Sequence, residues 1–330
     1  MENEILSYKL EHISCYLCGS RDYEVWTIAK DLLHMIPGEF HIVRCTECGL
    51  VYLNPRPTLE TIPSLYLEDY GPHQTLRKHK KERMGYIHNL ILSNFYNYPG
   101  KHSTLQRLVL LPFYLRTKWY SKKVKIIPFI GEGRLLDVGC GNGAFLYFMR
   151  QLGWDVWGVE PNEKAVQFVH EELGLKNVKG NLLLEQSYED QQFDVVTFWH
   201  SLEHMPNPRE VLEEIHRILR KDGLLLIAVP NIKSYAAKRF KDLWYALDAP
   251  RHLIHFSPDT LTYLLKVTGF TVKEIRQERK LSSLQISLKR EDKFIGRFIA
   301  NRRYILRLWN LLIQISKQSD IMVALATPKN

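Results

Sequence analysis

The chain of 330 residues is 45% apolar and 25% charged, a balance that supports a packed core and excludes disordered, collagen-like and disulfide-dense classes. No apolar run reaches the ~18 residues of a membrane-spanning helix. The start, MENEILSYKLEH, lacks the basic and apolar blocks of a secretory leader, so the cytoplasm is the expected compartment. The net charge of +9 is uneven: residues 131–230 carry nine Lys/Arg against sixteen Asp/Glu, residues 71–130 twelve against one, and residues 289–318 eight against two. An acidic centre therefore sits between two basic flanks.

In chain order, the first signal is a pair of knuckles, Cys15-x-x-Cys18 and Cys45-x-x-Cys48, with 26 residues between them and a glycine after each. Two such knuckles can bring four thiolates to one tetrahedral zinc, and glycine lets each turn close. A disulfide is disfavoured in a chain without a leader. Four sulfur ligands close the coordination sphere, so the predicted zinc is structural. Residues 1–70 are read as this zinc-ribbon region and 71–130 as a basic helical segment, in which RKHKKER (77–83) and RTKWYSKKVK (116–125) flank an apolar stretch broken by Pro112.

From Arg134 the pattern alternates between short apolar runs and helical spacing. Strands are predicted at 134–139, 155–160, 193–199 and 223–230, with a shorter one near 177–180. The stretches between, GAFLYFMRQLG, NEKAVQFVHEELG and NPREVLEEIHRILRKDG, read as helices. Asn207 and Ser257, each followed by proline, are predicted N-caps. Continuously apolar strands alternating with helices predict an α/β fold with a doubly wound, mostly parallel sheet, in which ligands bind beyond the carboxyl ends of the strands.

LLDVGCGNGAFL (135–146) lies at the first of those ends. Gly139-x-Gly141-x-x-Ala144 satisfies a dinucleotide fingerprint, whereas Gly139, Gly141 and Gly143 alternate behind Asp137 in a second pattern. The carboxylate of Asp137 decides between them: it would repel a pyrophosphate and attract the ammonium and sulfonium of S-adenosylmethionine. Glu160, ending the second strand, suits a ribose diol as a double acceptor.

With these residues in view the chain resembles the class I S-adenosylmethionine-dependent methyltransferases, through LLDVGCGNGAFL, the acid in VWGVEPN, FDVVTFWHSLEHMPNP and ILRKDGLLLIAVPN, over roughly 131–278. More narrowly it resembles a branch with an N-terminal zinc ribbon, which includes sugar C-methyltransferases and proteins of surface-polysaccharide pathways. CTECGLVYLNPRP and DAPRHLIHFSPDTL carry that likeness. The resemblance implies a Rossmann-like seven-stranded sheet within a methyltransferase domain spanning 131–330. It would end with an antiparallel strand at 320–328 after one at 271–278, the pair being interrupted by a basic amphipathic insertion at about 280–318. It further implies that Gly139, Gly141 and Gly143, with Cys140 between them and Asp137 before them, approach the methionyl and ribose portions. Glu160 would bind the ribose, Phe198, Trp199 and His200 would line the cofactor, and Asn181 with Leu182 would meet the adenine.

HSLEHM and DAPRHLIHF place His200, Glu203, His204, Asp248, Arg251, His252 and His255 after strands that point into the same cleft. His200 or His252 could serve as general base, with His255 a further candidate. His200, Glu203 and His204 with a downstream histidine could hold a divalent metal, and Arg251 could clamp a substrate phosphate. Alternatively Glu203 and His204 brace the loop. Tyr66 and Tyr70 reach the cleft if the N-terminal region covers it. The basic, aromatic-bearing segments fit an anionic membrane surface at the inner face of the cell membrane, a nucleic acid, or packing in a homodimer.

The expected function is methyl transfer from S-adenosylmethionine to a small-molecule or glycan substrate: a sugar, as nucleotide sugar or lipid-linked glycan, at oxygen or carbon. RNA or small-metabolite methylation, and a binding module with a vestigial cofactor fold, are the alternatives.

Overall fold

The computed structural model describes residues 8–66, 86–100, 103–120, 127–278, 281–291 and 294–329. The N-terminal region forms β1 (Leu10–Glu11), β2 (Tyr23–Ala29), β3 (Phe40–Cys45), β4 (Val51–Leu53) and β5 (Arg56–Pro57). Two helices follow, α1 (Tyr86–Phe95) and α2 (Thr104–Tyr120), the latter running through Pro112. The run RKHKKER, Tyr70 and the end of RTKWYSKKVK lie outside the described residues.

The central unit alternates as β6 (Arg134–Val138), α3 (Ala144–Gln151), β7 (Asp155–Val159), α4 (Glu163–Leu173), β8 (Val178–Lys179), β9 (Phe193–Trp199), α5 (Pro208–Ile218) and β10 (Leu219–Pro230). After it come α6 (Tyr235–Phe240), β11 (Ile254–His255), α7 (Pro258–Val267), β12 (Phe270–Glu278), α8 (Leu281–Arg290), α9 (Phe294–Asn301), α10 (Arg303–Ile315) and β13 (Ile321–Pro328). The seven-stranded sheet has the order β12-β13-β10-β9-β6-β7-β8. Pairs among β10, β9, β6, β7 and β8 are parallel, and β13 is antiparallel to both its neighbours.

Burial explains the strands. Phe193, Val195, Val196 and Phe198 of β9, with Leu225, Ile227 and Val229 of β10, are fully buried, since helices cover both faces. The helix at α5 was expected to run to residue 223 but ends at Ile218. Leu219 is buried and pairs with Phe193, so the sheet takes it, and a register shift before Leu224 absorbs the polar residues between. Asn207 makes no side-chain cap, whereas Ser257 and Thr260 close a reciprocal capping box.

Two placements matter for function. Ile321 pairs with both Pro230 and Glu278, so α8, α9 and α10 emerge at the rim where β10 ends. The N-terminal sheet has the order β11-β4-β3-β2, in which β11 comes from the segment after β10. The N-terminal region is thus stitched to the loop 248–255. No helix among the described residues is long and apolar enough to cross a membrane.

Candidate active site

The four knuckle sulfurs converge. Cys15 and Cys48 stand 3.4 Å apart, Cys18 and Cys45 3.5 Å, and all four lie within 4.8 Å of one another. Bonds of about 2.3 Å to a tetrahedral zinc would put sulfurs about 3.8 Å apart, so the donor set fits that ion in number, type and spacing. Gly19 and Gly49 adopt φ of 76° and 73° and donate their N–H groups to the Cys15 and Cys45 carbonyls. A side chain there would be strained, which is why glycine follows each knuckle.

At the carboxyl ends of β6 and β7, Gly139, Gly141 and Gly143 all have positive φ, folding the loop back under α3. A Cβ on Gly139 would fall 2.6 Å from that of Ser201, so the loop packs directly on the turn after β9. Glu160, 4% exposed, accepts from the Gly141 N–H (2.8 Å) through one oxygen and from the Asn162 N–H (2.9 Å) through the other. Asp137 is buried inside β6 and accepts a 2.6 Å bond from the Thr197 hydroxyl. Trp199 packs edge-on against Phe145 of α3, 5.4 Å between centroids. A backbone cradle of this kind, with a buried carboxylate behind it and an aromatic at its flank, fits the ribose and methionyl portions of S-adenosylmethionine.

The structure spreads the other expected contacts more widely. The Cys140 thiol packs at Gly158 in the core, and burial pushes its pKa well up, leaving a neutral packing group. Phe198 is a core residue of the opposite sheet face. Asn181 and Leu182 are exposed beyond β8, Asn181 in a left-handed turn.

The histidine-bearing segments do meet. His200 directly follows β9 with φ of 58°, and a short turn, Leu202–His204, comes next. The Glu203 carbonyl accepts from the Leu253 N–H, and the Leu253 carbonyl from Leu53 of β4. Around them, His200 Nδ1 is 3.5 Å from Glu203 Oε1, His252 Nε2 4.0 Å from the same oxygen, and His252 Nδ1 2.9 Å from the Ala246 carbonyl. Tyr66 reaches this cluster, its hydroxyl 2.9 Å from His204 Nδ1; burial raises its pKa and keeps it a neutral phenol.

Arg251 is corrected from a phosphate clamp to a buried strut. Its guanidinium is closed from solvent, bidentate to Asp31 at 2.7 and 2.9 Å and bonded to Asp248 at 2.6 and 3.0 Å. Asp31, which sequence reasoning missed, also accepts from the Leu33, His34 and Ile36 N–H groups. Thr197 was missed too, though its place opposite Asp137 in the sheet register would have revealed it.

Burial lowers the pKa of His252 well below the ordinary imidazole value and that of His255 to about 3. The unfolded chain protonates His255 near pH 6.5 and the fold resists until about 3. Its contribution is therefore complete above pH 6.5 and declines as pH falls towards 3, by at most about 1.4 kcal/mol per unit. Urea midpoints measured at about pH 7 and about pH 5 should differ clearly in the wild type and less in His255→Phe.

A methyltransferase-domain family model matches residues 114–275. A ubiquinone biosynthesis O-methyltransferase of Pseudomonas aeruginosa is 32% identical over 122 residues, 36% of this chain and 51% of that protein. The chain therefore spans about half the length of that relative. A protein of the same name from Pseudomonas fluorescens is 30% identical over 172 residues, 49% of this chain and 72% of that one. A solved S-adenosylmethionine-dependent methyltransferase from Archaeoglobus fulgidus aligns over 70% of this chain and 96% of its own at 24% identity, with a TM-score of 0.44. Glycine loop, sheet order and relatives agree, and the chain belongs to the class I S-adenosylmethionine-dependent methyltransferase family.

Proposed function

We propose that the protein transfers a methyl group from S-adenosylmethionine to a polar, hydroxyl-bearing acceptor, a nucleotide sugar or lipid-linked glycan, at oxygen or at a carbon beside a ketone. The observation that carries the methyl-transfer reading is the glycine loop held against Glu160 at the carboxyl end of the parallel strands. The bound cofactor supplies an electrophilic methyl. The chain's own contribution is alignment of the reactants and exclusion of water. In this reading Glu160 and the loop N–H groups fix the ribose, and Asp137 faces the cationic portion. His200, half-buried at the end of β9, takes the acceptor's proton. His252, held neutral by burial, forms the wall beside it.

The polar character of that wall, with His200, Glu203, Tyr66 and His252 together, supports a sugar over an apolar acceptor. A second reading, O-methylation in ubiquinone biosynthesis, rests on the names of the relatives. Offering the protein nucleotide sugars and polyprenyl phenols in parallel separates the two: a methyl gained only by the phenol would replace the sugar reading.

The four thiolates are assigned to structural zinc, a scaffold for the strands that reach β11. Purified protein should carry one zinc per chain, lost in Cys15→Ser/Cys48→Ser. Chelation should lower the melting temperature, because metal binding and local folding are one equilibrium.

The insertion carries a further assignment. On α10, Leu306 and Ile313 are buried against the body while Tyr304, Leu308, Leu311 and Ile315 are exposed along the other side. No acidic residue occurs in the stretch 293–319, where six Lys/Arg stand. Apolar surface bordered by positive charge suits an anionic bilayer. Co-sedimentation with anionic vesicles that salt weakens and Leu308→Glu abolishes is the expected result. A concentration-dependent dimer without vesicle binding would replace it with self-association, and RNA binding with a nucleic-acid surface.

A further inference from the structure

A surface helix ordinarily turns its apolar stripe to the core and its polar residues to water. Helix α2 does the reverse. At about 100° per residue, Leu105, Leu108, Val109, Leu111, Phe113 and Leu115 fall within one arc of about 200°, and these six are between 41% and 72% exposed. The polar residues of the same stretch, Gln106, Arg107 and Tyr114, fall outside that arc. It is this other side that meets the body: Leu110 is buried, Tyr114 stacks on Phe95 of α1 at 4.1 Å between centroids, and Arg107 donates to the Asn94 carbonyl at 2.8 Å.

Apolar surface this extensive on one helix marks a contact, and charge selects the partner. Residues 83–131 hold eight Lys/Arg and no Asp/Glu. The sequence after Leu115, RTKWYSKKVK, combines those cations with Trp119 and Tyr120, the aromatic types enriched where a membrane meets water. A second copy of the helix would set like charge against like charge. A nucleic acid, bound through its phosphates, would leave the leucines in water. The apolar run 108–115 has eight residues, too few to cross a bilayer but enough for a helix lying in its surface.

We infer that α2 docks the protein on an anionic lipid bilayer. Its leucine face sinks to the boundary between head groups and acyl chains, and the neighbouring cations lie against the head groups. The inference is separate from the assignment made for α10 and does not rest on the methyl-transfer reading. One consequence does rest on that reading: a protein held at this surface meets an acceptor carried on lipid, which favours the lipid-linked glycan over the free nucleotide sugar.

The test uses the full chain, vesicles of phosphatidylglycerol and phosphatidylcholine in equal parts, and vesicles of phosphatidylcholine alone. Wild type should co-sediment with the mixed vesicles, and less with the neutral ones or at high salt. Leu108→Gln with Leu115→Gln should weaken binding at least roughly tenfold, because each change withdraws apolar area from the lipid. The pair should melt no lower than wild type, since both side chains are exposed. Leu108→Trp should still bind, and its added fluorescence should be quenched by lipids brominated on the acyl chains. No binding by wild type, equal binding by the glutamine pair, or a bound Leu108→Trp without quenching overturns the inference. So does binding that Leu308→Glu alone removes, which would place the bilayer on α10. A dimer that the glutamine pair dissolves, without vesicle binding, would overturn it too and show the helix covered by a second copy. Loss of S-adenosylhomocysteine binding with docking intact would sink the methyltransferase reading and leave the docking surface standing.

Discussion

Glu160→Ala is expected to weaken S-adenosylhomocysteine binding by about 2 kcal/mol or more, roughly 30-fold. The carboxylate accepts from two backbone N–H groups, Gly141 in the loop and Asn162 at the start of α4. Its removal leaves both without an acceptor and withdraws the expected partner of the ribose. Glu160→Gln, which keeps one carbonyl oxygen, should lose less. Calorimetric titration of the three proteins is the check, and unchanged affinity in Glu160→Ala would place the ribose elsewhere.

The second large effect lies outside the cofactor cradle. Asp31→Ala should destabilise the chain by about 3 kcal/mol, because it strands the buried Arg251 guanidinium with Asp248 alone. It should also loosen the loop that carries His252 and pairs with β4, so acceptor turnover should fall further than cofactor affinity. Replacing both partners, as Asp31→Leu with Arg251→Met, should restore much of the stability in urea unfolding, since an apolar pair carries no desolvation cost. A single mutant as stable as wild type would mean that Asp248 alone satisfies Arg251.

These two sites differ in how far the sequence discloses them. The glycine loop and Glu160 could be read directly because each depends on local order: a strand, a tight turn, a helix start. The cysteine knuckles were legible for the same reason, with spacing and glycine both local requirements of the turn. The final antiparallel strand at β13 followed from the family resemblance together with an apolar run.

The Asp31–Arg251 pair joins residues 220 positions apart, and nothing near either residue marks the partner. Arg251 therefore read as a free cation beside a cleft. Glu203 and His252 were recognisable as chemistry-bearing types, but that they lie side by side follows only once β11 pairs with β4. The end of α5 was misplaced because helix periodicity persists into Leu219, and only the facing Phe193 decides which element takes that residue.

Methyl-labelled S-adenosylmethionine, mixed with purified protein and fractionated extract of its own cells, tests the central claim most directly. Label should enter the nucleotide-sugar or lipid-linked glycan fraction, and entry should be lost with Glu160→Ala. Label in no fraction, although S-adenosylhomocysteine binds, would contradict a catalytic role and favour a cofactor-binding module.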